Sequence, residues 1–389
     1  MHIAFMTPGF VENNGPTTGF PKYLLRVSKA LIKFGHKVSI ITCSNRSVYY
    51  EFLGIQVYRV RRPAIKVYGE QKTDIIAGCL RDGYILKLKL EEIFKTETID
   101  IVQYTSLCGL AYFHDLPVPA VTRLSSYAKM LPLNSNVKEA YGKMERAAAM
   151  KCNGVFAPSQ IVAKALSKDI EKEVTVIESP YVMDDKEKLT VFRKYFQGKK
   201  YILFYGTLSE NKGVNVIAKG IYQILDKHTD LFVGIIGDGD KRLVDLIMNN
   251  SMQYADRVIY HAAIGFAELQ PIIRNAKAVM LPSLMENLSN ACIECMALGQ
   301  IVIGTKGASF EQLIDDEESG FLCKIGDYVS LNRAIDKVLN LSEEKVTKIQ
   351  EKAKERAELL SPNIVVKQLI EYYEQIIVNY NQIDKDSGI

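Results

Sequence analysis

Short runs of β-branched and aromatic residues alternate with longer amphipathic stretches along the 389-residue chain. HIAFM (2–6), KVSIIT (37–42), IQVYRV (55–60), DIVQY (100–104), AVTRL (120–124) and GVFAPS (154–159) read as a first series of strands. YILFYG (201–206), FVGIIG (232–237), RVIYHA (257–262), AVMLPS (278–283) and IVIGT (301–305) form a second series. Between them, YLLRVSKALIKFG and VNVIAKGIYQILDK have helical periodicity, as does IVVKQLIEYYEQIIVNY after Pro362. This alternation predicts parallel sheets covered by helices, and the number of strands predicts two sheets rather than one. The stretch YILKLKLEEIFK (84–95) follows apolar–basic alternation more closely than a helical face.

The break between sheets is expected near 178–200, where ESPYVMDDKEKLTVFRKYFQGKK is polar and lacks long apolar runs. The division is then a first α/β domain over 1–182 and a second over 200–362, with a last helix over 363–389 packing back on the first. Two such domains would face a cleft, with ligands outside the carboxyl ends of the strands. No apolar run approaches the ~20 residues of a membrane span. MHIAFMTPGF lacks the basic and apolar regions of a signal peptide. Seven scattered cysteines point to reduced thiols and a cytoplasmic setting. The net charge of +4 hides an asymmetry, with +8 over residues 1–180 and −4 over 181–389. A basic half is more often only a solvated surface, but it also suits an anionic partner such as a phospholipid surface, a lipid phosphate or a nucleic acid.

Two loops could hold chemistry. In YILFYGTLSENKGVNVI, a strand ends at Gly206 and a helix begins after Lys212-Gly213. A helix N-terminus beside a lysine is a generic anion site. Taken alone, a surface lysine in a polar loop is the commoner reading. In MENLSNACIECMALG (285–299), a helix is expected to start near Leu288 to Asn290, with Glu286 before it and Glu294 inside it. Eight helical positions span about 12 Å. That is too wide for the ~5 Å carboxylate pair of a retaining glycosidase. The two glutamates look instead like clamps on separate parts of one long ligand, with helix N–H groups between them for an anionic portion. A nucleotide diphosphate-sugar has that shape. The blander reading of Glu286 is an acid complementing the helix dipole.

With these residues in view, PSLMENLSNACIECMALGQIVIGT resembles the E-x7-E signature of the retaining glycosyltransferases of family 4, which have two Rossmann-like domains in the GT-B arrangement. FYGTLSENKGVNVI, IIGDGD, IVIGTKGASFEQLIDDEESGFL and NGPTTGFPKYLLRVSKALIKFGHKVSIIT resemble further segments of that family, in the family's order. The resemblance implies a nucleotide-sugar donor of UDP or GDP type in the second domain. Glu294 would hold the ribose hydroxyls, and Glu286 those of the transferred sugar. Lys212 and the backbone of Asn287, Leu288, Ser289 and Asn290 would hold the diphosphate, with Gly206 and Thr207 lining the donor site. Gly19 matches the glycine that lets the first domain approach the donor phosphate. The implied reaction is metal-independent transfer of a hexose-type sugar with retention, using Glu286 and Lys212 as the catalytic pair. The acceptor would be a glycan or lipid-phosphate-linked molecule in polysaccharide or glycolipid synthesis. The expected setting is the cytoplasm, peripheral at the inner membrane face, with no nucleic-acid partner. A non-catalytic scaffold of the same fold and a sugar-nucleotide epimerase are the alternatives.

Two departures from the family stand out. Thr207 occupies the place where relatives commonly carry Arg, and Ser125 the place of a common His. On the acceptor side, Ser125 can hydrogen-bond a sugar hydroxyl. Arg123 either takes up phosphate charge or is a plain surface arginine. Asp238-Gly-Asp240 has the D-x-D form of a metal site but reads as a tight turn. Cys292 and Cys295 have no second pair at zinc spacing and read as core. No essential metal is expected, and no G-x-G-x-x-G supports a dinucleotide enzyme.

Overall fold

A computed structural model describes residues 1–10, 19–63, 72–131, 133–183 and 186–387. Internal contacts divide the chain into two compact units, Met1–Pro180 with Ser361–Ile389, and Tyr181–Leu360.

The first unit runs β1 (His2–Thr7), α1 (Gly19–Lys33), β2 (Lys37–Ser44), β3 (Val48–Phe52), β4 (Ile55–Arg61), α2 (Lys72–Phe94), β5 (Ile101–Thr105), β6 (Ala120–Arg123), α3 (Ser135–Lys151), β7 (Gly154–Ala157), α4 (Gln160–Ile170) and β8 (Thr175–Val176). Its sheet has the order β3-β4-β2-β1-β5-β6-β7-β8. All neighbours pair in parallel except β3 with β4. All six residues of β1 are buried. A strand covered on both faces is mainly apolar, as IAFM is, and the buried His2 ring has partners in the Thr98 carbonyl and the Ser39 hydroxyl.

The strand pattern missed β3, β8 and a strand of the second unit at Phe321–Lys324. At the tip of the β3–β4 hairpin, Leu53 and Gly54 take φ of 54° and 78°. A two-residue turn of this kind needs positive φ at both positions, and leucine there hides the signal. The alternation expected over 84–95 is corrected, because these residues lie in α2 or just beyond it. Leu86 and Leu90, one helical turn apart, are fully buried, while Tyr84 and Leu88 are exposed. Lys87 pairs with Asp115 and Glu91, and Lys89 with Glu92. The Leu–Lys–Leu–Lys string mimics a strand because Leu88 sits on the wet face.

The second unit runs β9 (Lys200–Tyr205), α5 (Val214–Lys227), β10 (Leu231–Ile236), α6 (Lys241–Asn250), β11 (Val258–His261), α7 (Phe266–Asn275), β12 (Ala278–Met280), α8 (Asn290–Ala297), β13 (Val302–Lys306), β14 (Phe321–Lys324), α9 (Tyr328–Leu339) and α10 (Glu343–Glu358). Its six strands are all parallel, in the order β11-β10-β9-β12-β13-β14. Phe204, Ile217, Leu225, Val233, Met280 and Ile335 pack into its core. Phe196, from the polar stretch expected to be a linker, is fully buried, and its ring fills the space beside Gly234.

The last helix, α11 (Pro362–Ser387), belongs to the first unit. Tyr373 is fully buried there and its hydroxyl donates to Gln103 of β5, while the Tyr372 ring meets Phe156 at 5.4 Å. Within each sheet the parallel strands end on one edge, so the loops that follow them gather at that edge.

Candidate active site

Two loops of the second unit leave neighbouring strands, β9 and β12. After β9 the chain does not detach at once from the sheet. The Leu208 N–H donates to the Asp238 carbonyl at 2.9 Å, and the Leu208 carbonyl accepts from the Asp240 N–H at 2.8 Å. A turn at Glu210–Lys212 then leads to Gly213, whose φ is +72°. A Cβ on Gly213 would lie 1.9 Å from the Pro282 carbonyl oxygen. Only glycine combines that backbone shape with that closeness, so Lys212-Gly213 is pressed against the loop after β12.

That second loop is held in turn. The Leu284 N–H donates to the Asn211 carbonyl at 2.8 Å, and the Asn211 amide donates to the Met285 carbonyl at 3.3 Å. Ser289 caps α8 by accepting from the Cys292 N–H. The Ser309 hydroxyl donates to the Asn287 carbonyl at 2.5 Å. These ties bring Lys212 and Glu286, remote in sequence, into an ion pair of 2.5 Å. The same Glu286 Oε1 accepts from the Ser283 hydroxyl at 2.9 Å. Glu286 is 13% exposed and Lys212 35%, so the cation is the more accessible partner. Hydrogen bonds between charged groups are the stronger kind, and here they fix both side chains.

Glu294 lies on the second turn of α8 and is anchored differently. The Tyr205 hydroxyl, at the end of β9, lies 3.1 Å from Glu294 Oε2 and 2.9 Å from the Ala291 carbonyl. Burial pushes the Tyr205 phenol well above its ordinary range, so it stays a donor. Asn290 and Ala291 open α8, and their N–H groups have no acceptor within the helix. Gly206 is half-buried and Thr207 exposed. The structure therefore joins Lys212 to Glu286 directly, and joins Glu294 to β9 through Tyr205. Ser283, Tyr205, Asn211 and Ser309 were not singled out from the sequence. Each lies within a segment quoted above, but nothing in residue type separates a serine that holds a carboxylate from one that faces solvent.

In the first unit the surface-arginine reading of Arg123 is corrected, because Arg123 is 3% exposed. Its guanidinium stacks on Tyr23 at 3.6 Å and donates to the hydroxyls of Ser125 and Ser179 at 2.8 Å each. Ser125 is thus a partner of Arg123 and is half-buried. Gly19 opens α1; the loop before it, and most of the basic run RVRRPAIKVYG (59–69), lie outside the described residues. Burial also pushes the Glu145 carboxyl up to about 8, with its Oε2 accepting from the Ala128 N–H at 2.9 Å.

Asp240 caps α6 and pairs with Arg242 at 2.6 Å, so the D-x-D segment is turn and cap. Cys292 and Cys295 are fully buried in α8, and all seven cysteines are free. Among the described residues, no group of three His, Cys, Asp or Glu side chains could hold a metal ion. Nor is any described helix long and apolar enough to cross a membrane.

The fold has close counterparts among solved structures. Sucrose-phosphate synthase from Thermosynechococcus elongatus matches 97% of this chain and 99% of its own with a TM-score of 0.77 and 16% identity. Anabaena HepE, solved in complex with UDP-glucose, matches 96% of this chain and 100% of its own with a TM-score of 0.70 and 14% identity. The chain thus has the GT-B fold of two Rossmann-like α/β domains. In sequence, residues 17–181 match the Glycosyltransferase Family 4 model and residues 185–356 the glycosyl transferases group 1 model. An uncharacterized glycosyltransferase of Methanocaldococcus jannaschii is 22% identical over 81% of this chain and 83% of its own. The chain belongs to the family 4, group 1 glycosyltransferases and is a transferase.

Proposed function

We propose that the enzyme moves a hexose-type sugar from a UDP- or GDP-sugar to a glycan or lipid-phosphate-linked acceptor, with retention of anomeric configuration and without a resident metal. The Lys212–Glu286 pair carries this reading, because it sets a cation and a carboxylate side by side at the ends of adjacent strands. Breaking the anomeric C–O bond builds positive charge on the sugar and negative charge on the departing diphosphate. Lys212 and the open N–H groups of Asn290 and Ala291 meet the negative charge. Glu286 accepts from hydroxyls of the transferred sugar, and Glu294 from those of the ribose. Until a donor arrives, Lys212 and Glu286 neutralise each other, so neither charge stands uncompensated.

The acceptor falls to the basic first unit, and a peripheral membrane setting fits it. Tyr84 and Leu88 of α2, together with Tyr112, are exposed on that unit. Such a surface suits synthesis of cell-surface polysaccharide or glycolipid at the inner membrane face.

Calorimetric titration with UDP, GDP, UDP-glucose and GDP-mannose tests the donor. One base should bind, and Lys212→Ala should weaken that binding by about tenfold or more. Nuclear magnetic resonance of the product should show the donor's anomeric configuration retained. Failure of all four ligands to bind, or an unchanged affinity in Lys212→Ala, would refute the proposal.

A further inference from the structure

We propose that Tyr205 is a positioning residue that fixes the Glu294 carboxylate and so sets how strongly the enzyme prefers a ribose over a deoxyribose in its donor. The inference rests on the donor-binding reading of Glu294 given above.

Tyr205 is the last residue of β9 and is 7% exposed. Its hydroxyl sits among the Ala291 carbonyl at 2.9 Å, Glu294 Oε2 at 3.1 Å and Cys295 Sγ at 3.5 Å. A phenol has one proton to give, and a carboxylate is the strongest of these acceptors. Glu294 is half-buried, on a helix of only eight residues, and its side chain has three rotatable bonds. A bond from the rigid end of a central strand selects one rotamer and one rotation of the carboxylate plane. That rotation matters for a vicinal diol, because two neighbouring hydroxyls can donate to one carboxylate only when its plane faces both. With the phenol hydroxyl removed, the carboxylate loses that restraint, and the second hydroxyl contributes less to binding.

Affinities of UDP, GDP and their 2′-deoxy analogues for wild type, Tyr205→Phe, Glu294→Gln and Cys295→Ala decide the matter. Wild type should bind the ribo form of one base severalfold more tightly than the deoxy form. Glu294→Gln should abolish that ratio, Tyr205→Phe should bring it close to one, and Cys295→Ala, which disturbs the same packing, should keep it. A wild-type ratio retained in Tyr205→Phe but lost in Glu294→Gln would overturn the role of Tyr205 and leave the donor reading standing. No binding of either diphosphate to wild type would overturn both. Should Tyr205→Phe not fold, tyrosines labelled with 13C at Cζ give a second readout. The one resonance that shifts in Glu294→Gln should also shift when the ribo diphosphate binds wild type, and its failure to do so would refute the inference.

Discussion

Gly213→Ala tests whether the contact between the two donor loops is what places Lys212 beside Glu286. A Cβ at this position would stand 1.9 Å from the Pro282 carbonyl oxygen, whereas ordinary contact begins at 3.4 Å, so something must shift by about 1.5 Å. Left-handed backbone costs a non-glycine residue roughly 1–2 kcal/mol. Overpacking against backbone adds about 1–3 kcal/mol. The sum, about 2–5 kcal/mol, lowers the melting temperature of a unit this size by roughly 4–20 °C. Pro282 precedes Ser283, which holds Glu286. The displacement therefore passes into the ion pair, and a misplacement on the order of 1 Å can reduce turnover about a hundredfold. Gly198 supplies the control, since it has φ of +76° and a Cβ added there would meet nothing within 4 Å. Gly198→Ala meets only the backbone cost. Thermal melts, transfer rates and nucleoside diphosphate affinities of both variants separate the two effects. A Gly213→Ala enzyme that matches Gly198→Ala in melting, turnover and affinity would refute the reasoning.

Two further expectations concern the first unit. Burial raises the Glu145 carboxyl to about 8 from an ordinary 4.5, so between those values the folded state holds more protons than the unfolded one. Stability from this group is therefore greatest below the lower value and declines as pH rises to about 8, by up to about 5 kcal/mol. Glu145→Gln should flatten that decline in urea titrations at pH 5, 6.5 and 8, and equal slopes in both proteins would contradict it. Tyr373→Ala removes a fully buried ring of α11 and the donor to Gln103. A loss of about 3–5 kcal/mol in chemical denaturation is expected, and a loss under about 1 kcal/mol would contradict the docking of α11.

Local pattern alone identified most strands, because a strand buried on both faces must be mainly apolar. HIAFM, KVSIIT and YILFYG come close to that requirement, with His2, Ser39 and Thr42 as buried polar exceptions, and the helices between them follow from one-sided burial. The helix start near Asn290 was legible in the sequence, and the structure adds that Ser289 caps it. Glu286 and Lys212 were legible as candidates through their place beside strand ends and the family resemblance. Their mutual contact was not, because it depends on how close Gly213 comes to Pro282. Leu53 in a left-handed turn and Leu88 on the wet face of α2 escaped notice because tertiary context overrode residue type. The surface-arginine reading of Arg123 failed because its burial depends on the Tyr23 ring and the Ser179 hydroxyl, both far from it in the chain. Sequence periodicity determines which face of each element turns inward. Only the folded chain decides which side chains meet at the strand ends, because those meetings join segments far apart in the chain through backbone contacts that no local pattern encodes.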